Sequence, residues 1–388
     1  MPTLNLPIAD GTLFRFTTSM PQNLPKRTNR PFNRIAYAAA HVVADPLADV
    51  DPWMEPAIDW DTTISYRTKL FDLGLGVAEA MDTAQRGTGL DWTTSQELIR
   101  RSLETARNIP AARIACGAGT DHLHPGTDVR LEDVIRAYEE QVAFVEKQGG
   151  RVILMASRAL AACATSPDDY VTVYERILSQ VREPVLIHWL GEMFDPNLRG
   201  YWGRVDHVAA MDVCLDILTD NAAKIEGIKV SLLDKEKEIA MRRRLPDGVR
   251  MYTGDDFHYA ELIAGDEVGY SDALLGIFDA IAPAASAALD AISGGDEDRF
   301  HKILAPTVPL SRHIFKSPTS YYKTGVVFMA WLNGHQEHFV MVGGQQSARS
   351  ILHLAELFRL ADASGLLVDP EMASSRMRAF LTTHGVAA

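Results

Sequence analysis

Short apolar runs alternate along the chain with longer stretches whose apolar residues recur at helical spacing. The runs lie at 34–43, 76–81, 112–119, 151–157, 184–190, 225–231, 249–256 and 266–272. Between them, 131–148, 167–181 and 205–218 read as amphipathic helices; in the first, Leu131, Val134, Ile135, Tyr138, Val142 and Val145 line one face. Alternation of this kind predicts parallel βαβ units, and eight such runs match an α/β fold of the (β/α)8 TIM barrel type over residues 34–285. An open doubly wound sheet is the runner-up, but the glycines of 82–89 do not form a dinucleotide-binding turn. Prolines at 2, 7, 21, 25 and 31 argue against helix in an N-terminal extension over 1–33. Beyond residue 273, the segments 274–292, 296–315 and 347–365 read as helices, so a helical region over 286–388 is expected after the barrel.

Composition narrows the class without naming a function. The 388 residues are 47% hydrophobic and 23% charged, as in an ordinary globular protein. A net charge of −13 argues against sequence-independent nucleic-acid binding and against an anionic membrane surface. Cys116, Cys163 and Cys214 are scattered and odd in number, which fits neither a disulfide framework nor a structural zinc site. The first residues lack the basic start and apolar core of a signal peptide, and no run is long enough to span a bilayer. A cytoplasmic protein is expected.

One position breaks the pattern. Lys229 sits inside the apolar run 225–231, although lysine is rarely buried. Strand alternation puts Ile225, Gly227 and Lys229 on one face and Glu226, Ile228 and Val230 on the other. With Ile228 and Val230 packed on the outer helices, Lys229 points into the barrel near the end where barrel enzymes carry their chemistry. Desolvation there lowers the amine pKa and makes it a nucleophile toward carbonyl groups. The bland alternative is a lysine snorkelling to the strand end or paired with Asp255 or Asp256.

"GIKVSLLD" resembles the strand-six "GIKxxxGD" signature of the dihydrodipicolinate synthase / N-acetylneuraminate lyase family of class I aldolases. "MYTGDDFHYAELIAGDEVGYSD" at 251–272 resembles the following segment of that family, and 295–315 resembles its helical tail. The resemblance runs from about residue 34 to 366 in consistent order. It implies a Schiff base between Lys229 and a 2-oxo acid such as pyruvate, no separate cofactor, and a homodimer or homotetramer. It places His188 of "PVLIHWLG" where the family carries a proton-shuttling tyrosine. It places Asp82, Thr83 and Ala84 at the loop that holds the substrate carboxylate, with only Thr83 keeping a hydroxyl; Arg86 stands nearby as a possible partner for that carboxylate. Arg158 and Ser157 stand where a second tyrosine is usual, and Asp255 and Asp256 end the next strand, placed to tune Lys229 or contact substrate. The arginine of lysine-biosynthetic members has no counterpart in 191–204, whose Glu192, Trp202 and Arg204 point to a different second substrate and away from a genuine dihydrodipicolinate synthase.

Two other readings compete. A metal-dependent barrel could draw on His41, His122, His124, His188, Glu192, Asp255, Asp256 and His258; His335 and His338 suggest a surface loop instead. A non-catalytic 2-oxo-acid-binding relative would explain the missing tyrosines. The aromatic and apolar stretch 320–334 reads as a packing surface or subunit interface.

Overall fold

The computed structural model describes residues 1–28, 30–126 and 128–386. The chain opens with an antiparallel hairpin, β1 (Thr3–Pro7) and β2 (Leu13–Thr17). Eight parallel strands then close into a barrel: β3 (Ala36–Ala39), β4 (Gly76–Glu79), β5 (Ile114–Ala118), β6 (Arg151–Leu154), β7 (Val185–Leu190), β8 (Ile225–Ser231), β9 (Arg250–Thr253) and β10 (Asp272–Leu275). They follow one another in chain order around the barrel, and β10 pairs with both β9 and β3 to close it. The (β/α)8 architecture read from the alternation is therefore the observed one.

The barrel is filled by its own inward side chains. Tyr37, Ala39, Ala78, Ala115, Ile153, Leu186, Tyr252 and Leu274 form one buried interior cluster, separate from the larger cluster between strands and helices. Large and small residues must alternate for such a core to fill without strain. The glycines Gly76 and Gly227 make room for the two tyrosines: a Cβ would lie 2.6 Å from the Tyr37 ring at Gly76 and 2.7 Å from the Tyr252 ring at Gly227. The helices outside begin where local chemistry satisfies their first N–H groups. Ser166 and Asp169 form a capping box ahead of Pro167–Leu178, which starts on proline, and Asp206 caps His207–Asp220.

Three expectations change. The eighth strand is Asp272–Leu275, not 266–272, because Asp266 accepts from the Val268 and Gly269 N–H groups and turns the chain there. The segment 274–292 is consequently not one helix: its first residues finish β10, and helices Ile277–Ala280 and Ala282–Ser293 follow. The extension 1–33 holds no helix, as its prolines imply, but it carries the hairpin, whose Leu4 and Leu6 are buried.

The C-terminal region holds helices Glu297–Leu304, Val308–Ile314, Tyr322–Leu332, Ile351–Ala363 and Pro370–Thr383. The stretch 320–334 is the buried helix Tyr322–Leu332 of this region, with all its residues enclosed. Among the described residues no helix is long and apolar enough to cross a membrane.

Candidate active site

Lys229 lies on β8 opposite His188 of β7 on one side and Tyr252 of β9 on the other. The register shifts by one residue at Val185/Leu186, so the strict alternation expected from Ile225 is interrupted there. Ile225 joins the outer cluster with Ile228 and Val230, and Glu226 accepts a 2.9 Å hydrogen bond from the Tyr252 hydroxyl. From Gly227 onward the parity holds, and Lys229 enters the C-terminal mouth of the barrel.

The lysine is 8% exposed, and among the described residues its ammonium nitrogen has no hydrogen bond or ion pair. Burial pushes its pKa down, and the nearby carboxylates of Asp256 and Asp82 oppose that shift. Gly254 is what lets the side chain stand there. A Cβ on it would lie 2.2 Å from Ser231 Oγ, 2.7 Å from the Val230 carbonyl and 2.8 Å from Lys229 Cε.

The two aspartates after β9 divide their work. Asp256 shares the inward parity of Tyr252 and Gly254, accepts from the Ile277 N–H at 2.9 Å, and is pushed well above the usual carboxylate range by burial. Asp255 points the other way. Its Oδ1 accepts from the Phe257 and His258 N–H groups and its Oδ2 meets His258 Nδ1 at 2.9 Å, so both oxygens are spent on the turn.

His188 is fully enclosed, lies 3.2 Å from Ser231 Oγ through Nε2, and is held well below the ordinary histidine pKa by burial and by Lys229. It is a neutral imidazole at neutral pH. With Leu190 it lines a cleft of about 200 Å³ over the barrel mouth, together with Asp82, Arg158 and Asp195.

The loop after β4 forms the opposite wall. Asp82–Ala84 is a single 3-10 turn flanked by Ala80 and Gln85 at positive φ, 52° and 64°. Ala84 is buried and donates its N–H to the Met81 carbonyl, so it serves the turn. Arg86 is committed as well. It forms a two-point pair with Asp121 at 2.8 and 2.9 Å and donates to the carbonyls of Ala80 and Gly117, so no substrate carboxylate can draw on it without breaking the loop. Arg158 faces the cleft and pairs through Nε with Asp195. Ser157 accepts from the Leu160 N–H as the cap of helix Arg158–Cys163 and shares a 2.6 Å hydrogen bond with Thr120.

Thr83 makes a contact that strand and loop patterns alone do not predict. Its hydroxyl lies 2.8 Å from the hydroxyl of Tyr322, from the first turn of helix Tyr322–Leu332. The Tyr322 ring stacks on Phe315 at 4.3 Å, and its pKa is raised by burial and by Asp82 and Asp256. The same two carboxylates act on Lys229 and on Tyr322, which brings the C-terminal helix into the electrostatic field of the lysine.

Most of the metal-ligand candidates hold other partners. His41 pairs with Asp279 at 2.8 Å, His122 Nδ1 lies 2.8 Å from Gln141, Glu192 meets His207 at 3.0 Å, and His258 meets Asp255. His335 lies 3.0 Å from the Lys69 ammonium, and His338 accepts from the Val340 N–H. Among the described residues no three histidine, cysteine or carboxylate side chains are grouped to hold a metal ion.

The fold is that of dihydrodipicolinate synthases of known structure. The enzyme from Thermotoga maritima superposes with a TM-score of 0.63 at 14% identity, over 87% of this chain and 100% of the other. That from Cyanidioschyzon merolae, with lysine bound, gives 0.61 at 15% over 85% and 98%. That from Aquifex aeolicus gives 0.60 at 12% over 91% and 98%. At such identities the likeness establishes the fold and leaves the chemistry to the site. A search of curated protein sequences finds no match. A family model described as a protein of unknown function (DUF993) matches residues 4–386, and the chain belongs to that family.

Proposed function

We propose that this protein is a class I aldolase-like lyase or condensing enzyme that forms a Schiff base between Lys229 and a 2-oxo acid. The observation that carries this reading is a lysine buried at the C-terminal end of a barrel strand with no ion-pair partner among the described residues. A structural lysine in that position would be expected to hold an acid; an unpaired, desolvated amine is suited to attack a carbonyl carbon.

In the proposed step the neutral amine adds to the keto carbon of the substrate, and loss of water from the carbinolamine leaves an iminium. The iminium withdraws electrons, so a proton or a carbon fragment leaves the adjacent carbon and an enamine remains. Asp256 is suited to move the proton, since burial raises its pKa toward the range in which a general acid and base both function. Tyr322, held by Thr83, is a second proton carrier in the same field. His188 enters as a neutral hydrogen-bonding wall beside the lysine, because protonating it next to a cationic iminium costs more than protonating a carboxylate. This shifts acid–base duty away from the position that the family resemblance marks. Asp82 lines the cleft that would take the substrate, and Thr83 follows it in the same turn.

The test is reductive trapping. Protein incubated with a panel of 2-oxo acids and borohydride should gain the mass of the reduced adduct, and Lys229→Ala should gain none. No adduct with any 2-oxo acid, or an adduct that survives Lys229→Ala, sinks the proposal.

A further inference from the structure

Helix Tyr322–Leu332 contains one charged residue, Lys323, and it is 7% exposed. Among the described residues its ammonium has a single hydrogen bond, 3.3 Å to the Thr88 hydroxyl, and no ion pair. An ammonium carries three donors and is strongly hydrated in water, so two of them lack acceptors in this buried position. It opens into a cavity of about 170 Å³ that also contains Arg158, Asp82 and Ser320. Arg158 has unspent donors as well. Among the described residues only its Nε is engaged, by Asp195, whose other oxygen accepts from Asn197 N and Nδ2 at 3.0 and 2.9 Å. A Cβ on Gly87 would come within 3.0 Å of Arg158 Nη1, so the guanidinium lies along this loop, one terminal nitrogen against the glycine.

This cavity and the cleft lined by His188 share Asp82, Arg158, Leu190 and Asp195 as common walls. A molecule in the cleft beside His188, the strand neighbour of Lys229, can therefore extend past Arg158 toward Lys323. Asp195 pairs with Arg158, and the Asp82 carboxylate acts on both Lys229 and Lys323 without a hydrogen bond or ion pair to either among the described residues. The unfilled donors of Lys323 and Arg158 call for an oxyanion.

We infer that Lys323 and Arg158 form a subsite for a second carboxylate, so that the substrate is a 2-oxo diacid whose distal carboxylate lies between these two side chains. The inference rests on the Schiff-base reading for the position of the keto group, but the subsite itself is built from separate residues. Burial depresses the Lys323 pKa, and a bound carboxylate would oppose that shift.

Chain-length-matched pairs of acids test it. 2-Oxoglutarate and 2-oxoadipate should be trapped by borohydride at concentrations about tenfold or more below 2-oxopentanoate and 2-oxohexanoate. In Lys323→Met and, independently, in Arg158→Met, that preference should fall toward unity, with melting temperature checking that each variant is folded. Calorimetry on Lys229→Ala with the same diacids gives a reading without the imine: diacids should bind more tightly than monoacids, and the added Lys323→Met change should remove the difference. Equal trapping of diacids and monoacids, or a preference that survives both substitutions, overturns the subsite. Loss of all adducts with retained, Lys323-dependent diacid binding overturns the Schiff base and leaves the subsite standing. Absence of both overturns both.

Discussion

Lys229 is placed where two opposing forces act on one proton. Burial favours the neutral amine, and the carboxylates of Asp256 and Asp82 favour the ammonium. The rate of imine formation should therefore rise with pH and reach its half-maximum below the ordinary lysine value of 10.5. Asp256→Asn removes an anion that stabilises the ammonium, so the half-maximum should move to still lower pH even if the plateau falls with loss of a proton carrier. Rates of adduct formation, quenched with borohydride from about pH 5 to about pH 10, would check this; an upward shift would show that Asp256 does not act on the lysine. Lys229 is legible in the sequence because a charge inside an apolar run has few explanations. Lys323, alone among the apolar residues of Tyr322–Leu332, carries the same signal. What it faces is not legible, since Arg158 and Asp82 reach it from loops far away in the chain.

At the scale of elements, β8 and β9 form a unit around one glycine. The Val230 carbonyl is backbone and cannot swing aside for a Cβ on Gly254, whereas Lys229 can. Gly254→Ala should cost about 1–3 kcal/mol in stability and displace the lysine, so that adduct formation falls more steeply than the melting temperature. Urea unfolding paired with trapping yields separates the two effects, and full trapping in a folded Gly254→Ala variant would refute the constraint. Strand alternation predicts which face of β8 carries Lys229 but not the bulge at Glu226, which depends on how β7 meets it. β10 is the element that pattern reading misplaces. Its buried run Asp272–Leu275 continues without a polar break into the helices after it, so a local pattern does not separate them, and only pairing with β3 and β9 makes it a strand.

Over the whole molecule, the C-terminal helices are part of the site as well as its support. Tyr322 bonds to Thr83 and Lys323 to Thr88, so the helix closes over the loop after β4. The N-terminal hairpin secures those helices in turn: Phe16 packs edge-on against Phe358 at 6.2 Å, Arg378 donates to the Thr3 carbonyl at 2.9 Å, and Ser19 N–H donates to Asp362. Leu6→Ala, 1% exposed in the native chain, should cost about 2–5 kcal/mol. Because the hairpin lies on the helices rather than on the barrel, urea unfolding should show the loss while trapping by the remaining folded protein persists. A stability change within about 0.5 kcal/mol would mean that the hairpin is peripheral.

The sequence by itself determined the barrel and the inward lysine, because both follow from periodicities of two and of three to four residues that neighbouring side chains impose on each other. The resemblance to the aldolase family, not the periodicity, is what pointed to Asp82, Thr83, His188 and Arg158. Only the tertiary structure decided how these residues are spent. Arg86 is consumed by Asp121 and Asp255 by its own turn, while Thr83 finds Tyr322 more than two hundred residues away. Hydrogen bonds and charges act over a few ångströms of space whatever the separation along the chain, so partners of this kind leave no trace in a local pattern.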